Sequence, residues 1–408
     1  MAHYCVRYAK NKGRFQACEM LDSIEYITSS PTAFPQNIGQ LESIIKHDNL
    51  PQSEDSFFLD IWTPDSDGIK PVLFWIHGGS FVAGASGDNQ NDASTLSKNA
   101  DIVVVSVTYR IGVLGTSYFP NIPQRNCGFH DIVTALKWTH THIATFNGDS
   151  SRITIGGQSS GAWYAMAIHT SEELQNLFQK TMLFSWPGTM KAIPESTAEE
   201  IANQFQTAIP DFLSADIKDI LAAQKIIGKQ NKRKYKFNVP LMPVIEKGYI
   251  SDDFYRDCAM VDKPIYLQYT EDECGIYIHH YPIHKHTPLS ILVPFLKQYC
   301  PEHTYKQLRT YRKTTQNSYN AVLQLTSDNL FKNPALKIAE IAGTNSTVHK
   351  FSFPTNTERI KCCHCFDLPF IFGCIDNWKH SKLFEGCDID EMKKVSLELQ
   401  LSIKNFIY

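Results

Sequence analysis

A serine flanked by glycines at the end of an apolar run constrains this chain more than any other feature. The stretch Ile153-Thr154-Ile155-Gly156-Gly157-Gln158-Ser159-Ser160-Gly161-Ala162 begins as a buried strand, and the apolar residues 163–168 that follow fit a helix. Gly-x-Ser-x-Gly lies between them. A strand can pass into a helix over so few residues only by a tight turn, and small neighbours let the backbone bend and approach closely. Such a turn exposes the hydroxyl of Ser159 as a nucleophile. The helix start then aims amide groups at the negative charge that builds up during attack.

A second element complements the first. Phe74-Trp75-Ile76-His77-Gly78-Gly79-Ser80-Phe81 ends another buried-strand pattern with paired glycines. Backbone N–H groups can reach a substrate carbonyl only where no side chain intervenes. Gly78 and Gly79 are therefore expected as oxyanion donors, with the Ser160 N–H as the third.

Further strand patterns fall at 57–62, 71–76, 102–108, 181–184, 264–269 and 349–353, and helical patterns at 129–146 and 392–406. Strands alternating with helices predict an α/β fold with a mostly parallel central sheet flanked by helices. The more polar segments 190–245 and 276–345 read as helical insertions beside the site. A formal net charge of −3 gives no basic stripe of the kind nucleic acid requires. The local run Lys229, Lys232, Arg233, Lys234, Lys236 reads as a solvated face. No apolar run approaches the roughly 20 residues of a membrane span, and the N-terminus lacks a signal-peptide pattern. The 11 cysteines are odd in number and irregularly spaced, which suggests reduced thiols and a cytoplasmic location. The sequon Asn345-Ser346-Thr347 matters only in a secreted protein. No cofactor is expected, and nothing in the sequence sets the oligomeric state.

The motifs together resemble the type-B carboxylesterase and cholinesterase family of α/β-hydrolases. Ser53-Glu54-Asp55-Ser56-Phe57-Phe58-Leu59-Asp60-Ile61-Trp62-Thr63-Pro64 is similar to the family's SEDCLYLNVWTP segment. Tyr109-Arg110-Ile111-Gly112 resembles its YRxG, and 126–149 resembles the stretch that leads into the nucleophile. The resemblance runs from about residue 8 to the C-terminus and implies one hydrolase domain over 1–408, shortened at both ends. It implies the rest of a catalytic triad as well. The acid maps to Glu273 in Thr270-Glu271-Asp272-Glu273, with Glu271 and Asp272 as rivals. The base maps to His364 in Cys362-Cys363-His364-Cys365-Phe366-Asp367-Leu368-Pro369. Chain order Ser159, Glu273, His364 is the one expected for this fold. The implied activity is hydrolysis of small carboxylic esters through an acyl-enzyme. The alternatives are an inactive binding protein, or a thioesterase or amidase of the same fold.

Arg14, Glu54, Arg110 and Asp131 fall on family positions that form structural ion pairs. Ser185 matches a serine behind the triad, either hydrogen-bonded there or an ordinary strand-end serine. Gln158 stands where an acidic residue often precedes the nucleophile, and Ser160 where alanine is usual. The family's disulfide near the entrance is missing, because Phe34 and Ser56 occupy its cysteine positions. Cys274, Cys363 and Cys365 neighbour the triad residues, so thiol reagents are expected to inhibit. His279, His280, His284 and His286 imitate a metal site, as do the cysteines around His364. Pro282 and Pro288 disfavour the first as a regular helix, and a metal would disable the base in the second, so no metal is expected.

Overall fold

A computed structural model describes the chain except for residues 29, 30, 38, 40–43, 46–49, 123, 236–238, 240 and 298–303. Lys236 of the basic run therefore lies outside the described residues. Among the described residues, nine strands form one sheet: β1 (Ala2–Lys10), β2 (Glu19–Tyr26), β3 (Phe58–Thr63), β4 (Lys70–Ile76), β5 (Val103–Val107), β6 (Gly148–Gln158), β7 (Lys180–Phe184), β8 (Ile265–Thr270) and β9 (Ser346–Phe351). Their order is β2-β1-β3-β5-β4-β6-β7-β8-β9. From β5 to β9 all neighbours are parallel, whereas β1, β2 and β3 pair antiparallel.

The seven strand patterns read from sequence are all strands here, with small shifts of their ends. β1 and β2 were not anticipated. β2 at the sheet edge is mostly exposed, so it lacks the continuous apolar run of β3 to β8. A central parallel strand is covered on both faces and must be apolar throughout, whereas an edge strand need not be.

Alternation along the strands divides the interior. Val72, Phe74 and Ile76 of β4 and Val103, Val105 and Val107 of β5 point into one core. Leu73, Trp75 and Val104 point into the other. Helices α1 (Cys127–His142) and α2 (Ser160–Thr170) cover the first core. Helix α3 (Ile389–Ile407), the terminal helix read from sequence, covers the second with Met392, Ile403 and Ile407. A third, smaller core includes Leu308, Tyr319 and Val322 from the segment 276–345.

Two forked ion pairs tie distant segments together, one of them buried. Arg110 donates two hydrogen bonds to the Asp131 carboxylate, at 2.7 and 2.6 Å, and one more to the Gln16 carbonyl. Arg14 holds Glu54 in the same forked way at 2.7 and 2.6 Å. Removing one member of a buried pair costs about 3–5 kcal/mol, because the other charge is then stranded. Where the family disulfide is missing, Ser56 Oγ lies 2.7 Å from Thr32 Oγ1, and Phe34 packs edge-on against Phe57.

Candidate active site

The parallel register aligns strand ends. Ile76 pairs with Gly157, Gln158 with Phe184, Phe184 with Gln268, and Thr270 with Phe351. The segments that leave β4, β6, β8 and β9 at their carboxyl ends therefore converge, as open α/β sheets require of their sites. These segments carry Gly78, Ser159, Glu273 and His364 respectively.

Ser159 caps α2 with φ 58° and ψ −123°, a conformation L-residues rarely adopt. Close packing enforces it. A Cβ on Gly161 would lie 2.0 Å from the Ile76 carbonyl oxygen, and one on Gly157 would lie 2.5 Å from the carbonyl carbon of Gly161. The backbone of β4 thus runs directly against the turn, and only glycine fits at both places. Ser159 N–H donates to the Phe184 carbonyl at 3.0 Å, which anchors the turn to β7.

The candidate base and acid, His364 and Glu273, sit on two loops tied to each other. His364 N–H donates to the Glu273 carbonyl and Asp272 N–H to the Cys362 carbonyl, both at 3.0 Å. Side chains then meet in a relay. His364 Nε2 is 2.8 Å from Ser159 Oγ, and His364 Nδ1 is 2.7 Å from Glu273 Oε2. The other oxygen of Glu273 accepts from Thr270 N–H at 2.9 Å. A carboxylate at Nδ1 favours the tautomer with its proton there, leaving the Nε2 lone pair toward the serine. Glu273 and His364 are both buried. Of the rivals, Glu271 pairs outward with Lys350 at 2.9 Å. Asp272 makes no side-chain hydrogen bond to the histidine, and burial pushes its carboxyl up to about 6.

The glycine loop abuts the nucleophile. A Cβ on Gly78 would come within 3.1 Å of Ser159 Cβ, and one on Gly79, at φ +117°, would collide with the Ala83 carbonyl. Ser160 begins α2, so its N–H belongs to the helix start. Its hydroxyl is buried without a partner beside the nucleophile.

Gln158 is more than an uncharged replacement. Its amide nitrogen lies 3.2 Å from His364 Nε2 and donates to Cys365 Sγ at 3.4 Å. It thus lies directly beside His364, in keeping with the expectation that it supports the site from behind. Ser185 fits the second of its two readings, an ordinary strand-end serine. Its hydroxyl is buried and makes no hydrogen bond, so it does not support the triad that way. Behind the relay lie Gln268 and Asp367, joined at 2.8 Å, an arrangement sequence reading missed. An acid within the apolar stretch Phe366–Phe372 was the available signal.

The thiols near Glu273 and His364 are largely out of solvent, although Cys274 also belongs to the lining of the cavity beside Ser159. Cys274, Cys363 and Cys365 are no more than 5% exposed, and burial raises the Cys363 thiol well above its ordinary range. Apolar packing, rather than reactivity, accounts for them. Among the described residues no three His, Cys, Asp or Glu side chains are placed to hold a metal ion. No described helix is long and apolar enough to cross a membrane.

A cavity of about 340 Å³ opens onto Ser159 and Ser160. Tyr277 and Phe331 line it and stand over His364, with ring centroids 5.5 and 5.0 Å away. Lys232 and Val239 from the segment 190–245 close another side.

Comparison with known proteins bears directly on this arrangement. The model of the carboxylesterase family matches residues 1–407. The chain belongs to that family. It is thereby a carboxylic ester hydrolase. Phenmedipham hydrolase of Pseudarthrobacter oxydans is 26% identical over 392 residues, 92% of this chain and 77% of the relative. Para-nitrobenzyl esterase of Bacillus subtilis (strain 168) is 25% identical over 421 residues, 97% and 83% of the two chains. Among solved structures, a thermophilic PNB esterase superposes with a TM-score of 0.81 at 24% identity, covering 99% of this esterase and 86% of that chain. At that identity the superposition speaks for the shared fold.

Proposed function

We propose that this chain hydrolyses small carboxylic esters through an acyl-enzyme on Ser159, with His364 as general base and then general acid, and Glu273 orienting it. The observation that carries this reading is the continuous relay of 2.8 and 2.7 Å from Ser159 Oγ through the imidazole to Glu273. His364 Nε2 takes the hydroxyl proton as Ser159 Oγ attacks the ester carbonyl. The tetrahedral oxyanion forms among the N–H groups of Gly78, Gly79 and Ser160. Glu273 stabilises the imidazolium. His364 then protonates the departing alcohol. Water, deprotonated by the same nitrogen, attacks the acyl-enzyme and releases the acid. Losing one oxyanion donor costs about 3–4 kcal/mol of transition-state stabilisation in such sites.

Residues 1–408 act as one hydrolase domain in this reading, with 190–245 and 276–345 as insertions that shape the pocket. The adjacent buried thiols of Cys362 and Cys363 suit a reducing, cytoplasmic location.

The test is Ser159→Ala with p-nitrophenyl acetate and with a fluorophosphonate probe. Activity should fall by several orders of magnitude, with the fold intact by circular dichroism, and stoichiometric labelling should vanish. A folded variant that kept more than a few per cent of turnover would remove Ser159 from its role. A panel of ester, thioester and amide substrates with matched acyl groups should rank the ester first.

A further inference from the structure

The lining of the cavity includes one unusual group. Lys232 lies in the last turn of helix α4 (Ile217–Lys234) and lines the same cavity as Ser159, Ser160 and Ser80. Apart from His280, the other lining side chains are aromatic, aliphatic, hydroxyl-bearing or sulfur-bearing. No aspartate or glutamate belongs to the lining among the described residues. His280 is the other ionisable nitrogen there, and partial burial, then the neighbouring His279 and Arg359, lower its pKa.

Lys232 also lacks a carboxylate. Its neighbour Lys234 pairs with Glu200, but Lys232 makes no ion pair or side-chain hydrogen bond among the described residues. The side chain remains open to solvent, while the surrounding walls strip part of its hydration and lower the ammonium pKa. A cation partly desolvated in a concave site without a counter-charge is relieved by an anion that enters the site. Coulomb attraction there exceeds its value in bulk water, because water is partly excluded.

The geometry points to an ester that carries a carboxylate remote from its scissile carbonyl, held by Lys232 while Ser159 attacks. This rests on the esterase reading above and names the substrate class for that same site. The rest of the lining suits it: Phe331 and Tyr277 stand over His364, and Lys232 brings the ammonium group to the same cavity. A substrate with a quaternary ammonium in that position would meet like charge.

The experiment compares two matched pairs in the full chain. One is p-nitrophenyl butyrate against mono-p-nitrophenyl succinate, with the carboxylate on the acyl side. The other is phenyl butyrate against 4-carboxyphenyl butyrate, with the carboxylate on the alcohol side. Each is measured for the wild type, Lys232→Met and Lys232→Glu. The expected result is that Lys232→Met lowers kcat/KM for the carboxylate-bearing member of at least one pair about tenfold, mostly through KM, and leaves its neutral partner within about twofold. Lys232→Glu should deepen that loss. Raised salt should erode the wild-type preference, since the ammonium is open to solvent. Equal losses on charged and neutral esters, or no loss on either charged ester, would overturn the inference. Failure of the esterase reading is distinguishable, because then the neutral esters would not be turned over by the wild type at all.

Discussion

Asp367→Asn should make this protein more stable at neutral pH and reshape its pH dependence. Asp367 is fully buried behind the triad. One carboxyl oxygen accepts from Gln268 Nε2 at 2.8 Å and the other has no partner. Burial above all, and then the negative charge of Glu273, push its carboxyl from 3.8 up to about 6. The sign follows from proton counting. Between those two pH values the folded protein holds a proton that the unfolded chain has released, so stability falls as pH rises through that window. Above it, the folded state carries a buried carboxylate. About 6 less 3.8 is about 2 units, which at about 1.4 kcal/mol each gives about 3 kcal/mol. Asparagine keeps a carbonyl oxygen for Gln268 and cannot ionise. The difference in unfolding free energy between variant and wild type should therefore grow by about 3 kcal/mol from pH 4 to pH 8 in favour of the variant. Asp272, also raised to about 6, is present in both proteins and cancels in that difference. Urea titrations followed by tryptophan fluorescence across the range provide the measurement. Parallel stability curves for the two proteins would refute the argument, and so would a variant that loses ground as pH rises.

The remaining expectations concern the site. Glu273→Gln should lower kcat about 10³- to 10⁴-fold by presenting the wrong partner to His364 Nδ1, whereas Asp272→Asn should change it less than tenfold; the reverse ranking in steady-state assays would move the acid by one residue. Cys274, Cys363 and Cys365 should resist N-ethylmaleimide in the native enzyme and react after denaturation, as read by mass spectrometry of labelled peptides; rapid native labelling of any of the three would contradict their burial. An uncharged thioester should be hydrolysed with a kcat/KM about tenfold above that of butyrylthiocholine at equal acyl length, because Gln158 supplies no carboxylate and Lys232 lines the cavity; a preference for the choline compound would defeat this.

Much of this architecture was written locally. Tight turns and buried parallel strands demand particular residues over short spans, so 153–162 and 74–81 announced a strand, a turn and a site without any knowledge of the fold. β3 to β8 were legible for the same reason: each carries a largely buried run. β1 and β2 were not, because β2 at the edge is mostly exposed, β1 beside it is only partly buried, and their pairing is set by strands elsewhere in the sequence. Which of Glu271, Asp272 and Glu273 faces His364 could be guessed from resemblance. It was decided by hydrogen bonds between two loops about 90 residues apart in sequence, which turn one carboxylate inward and leave its neighbours outside the relay. Likewise, the contact of Gln158 with the base, the isolation of the Ser185 hydroxyl, the burial of the thiols and the placement of Lys232 in the cavity wall are products of packing. The sequence by itself determined which segments bend, which are buried on both faces, and where a nucleophile can stand. Only the tertiary structure decided what each polar side chain meets, because burial and hydrogen-bond partners depend on segments that sequence order keeps apart.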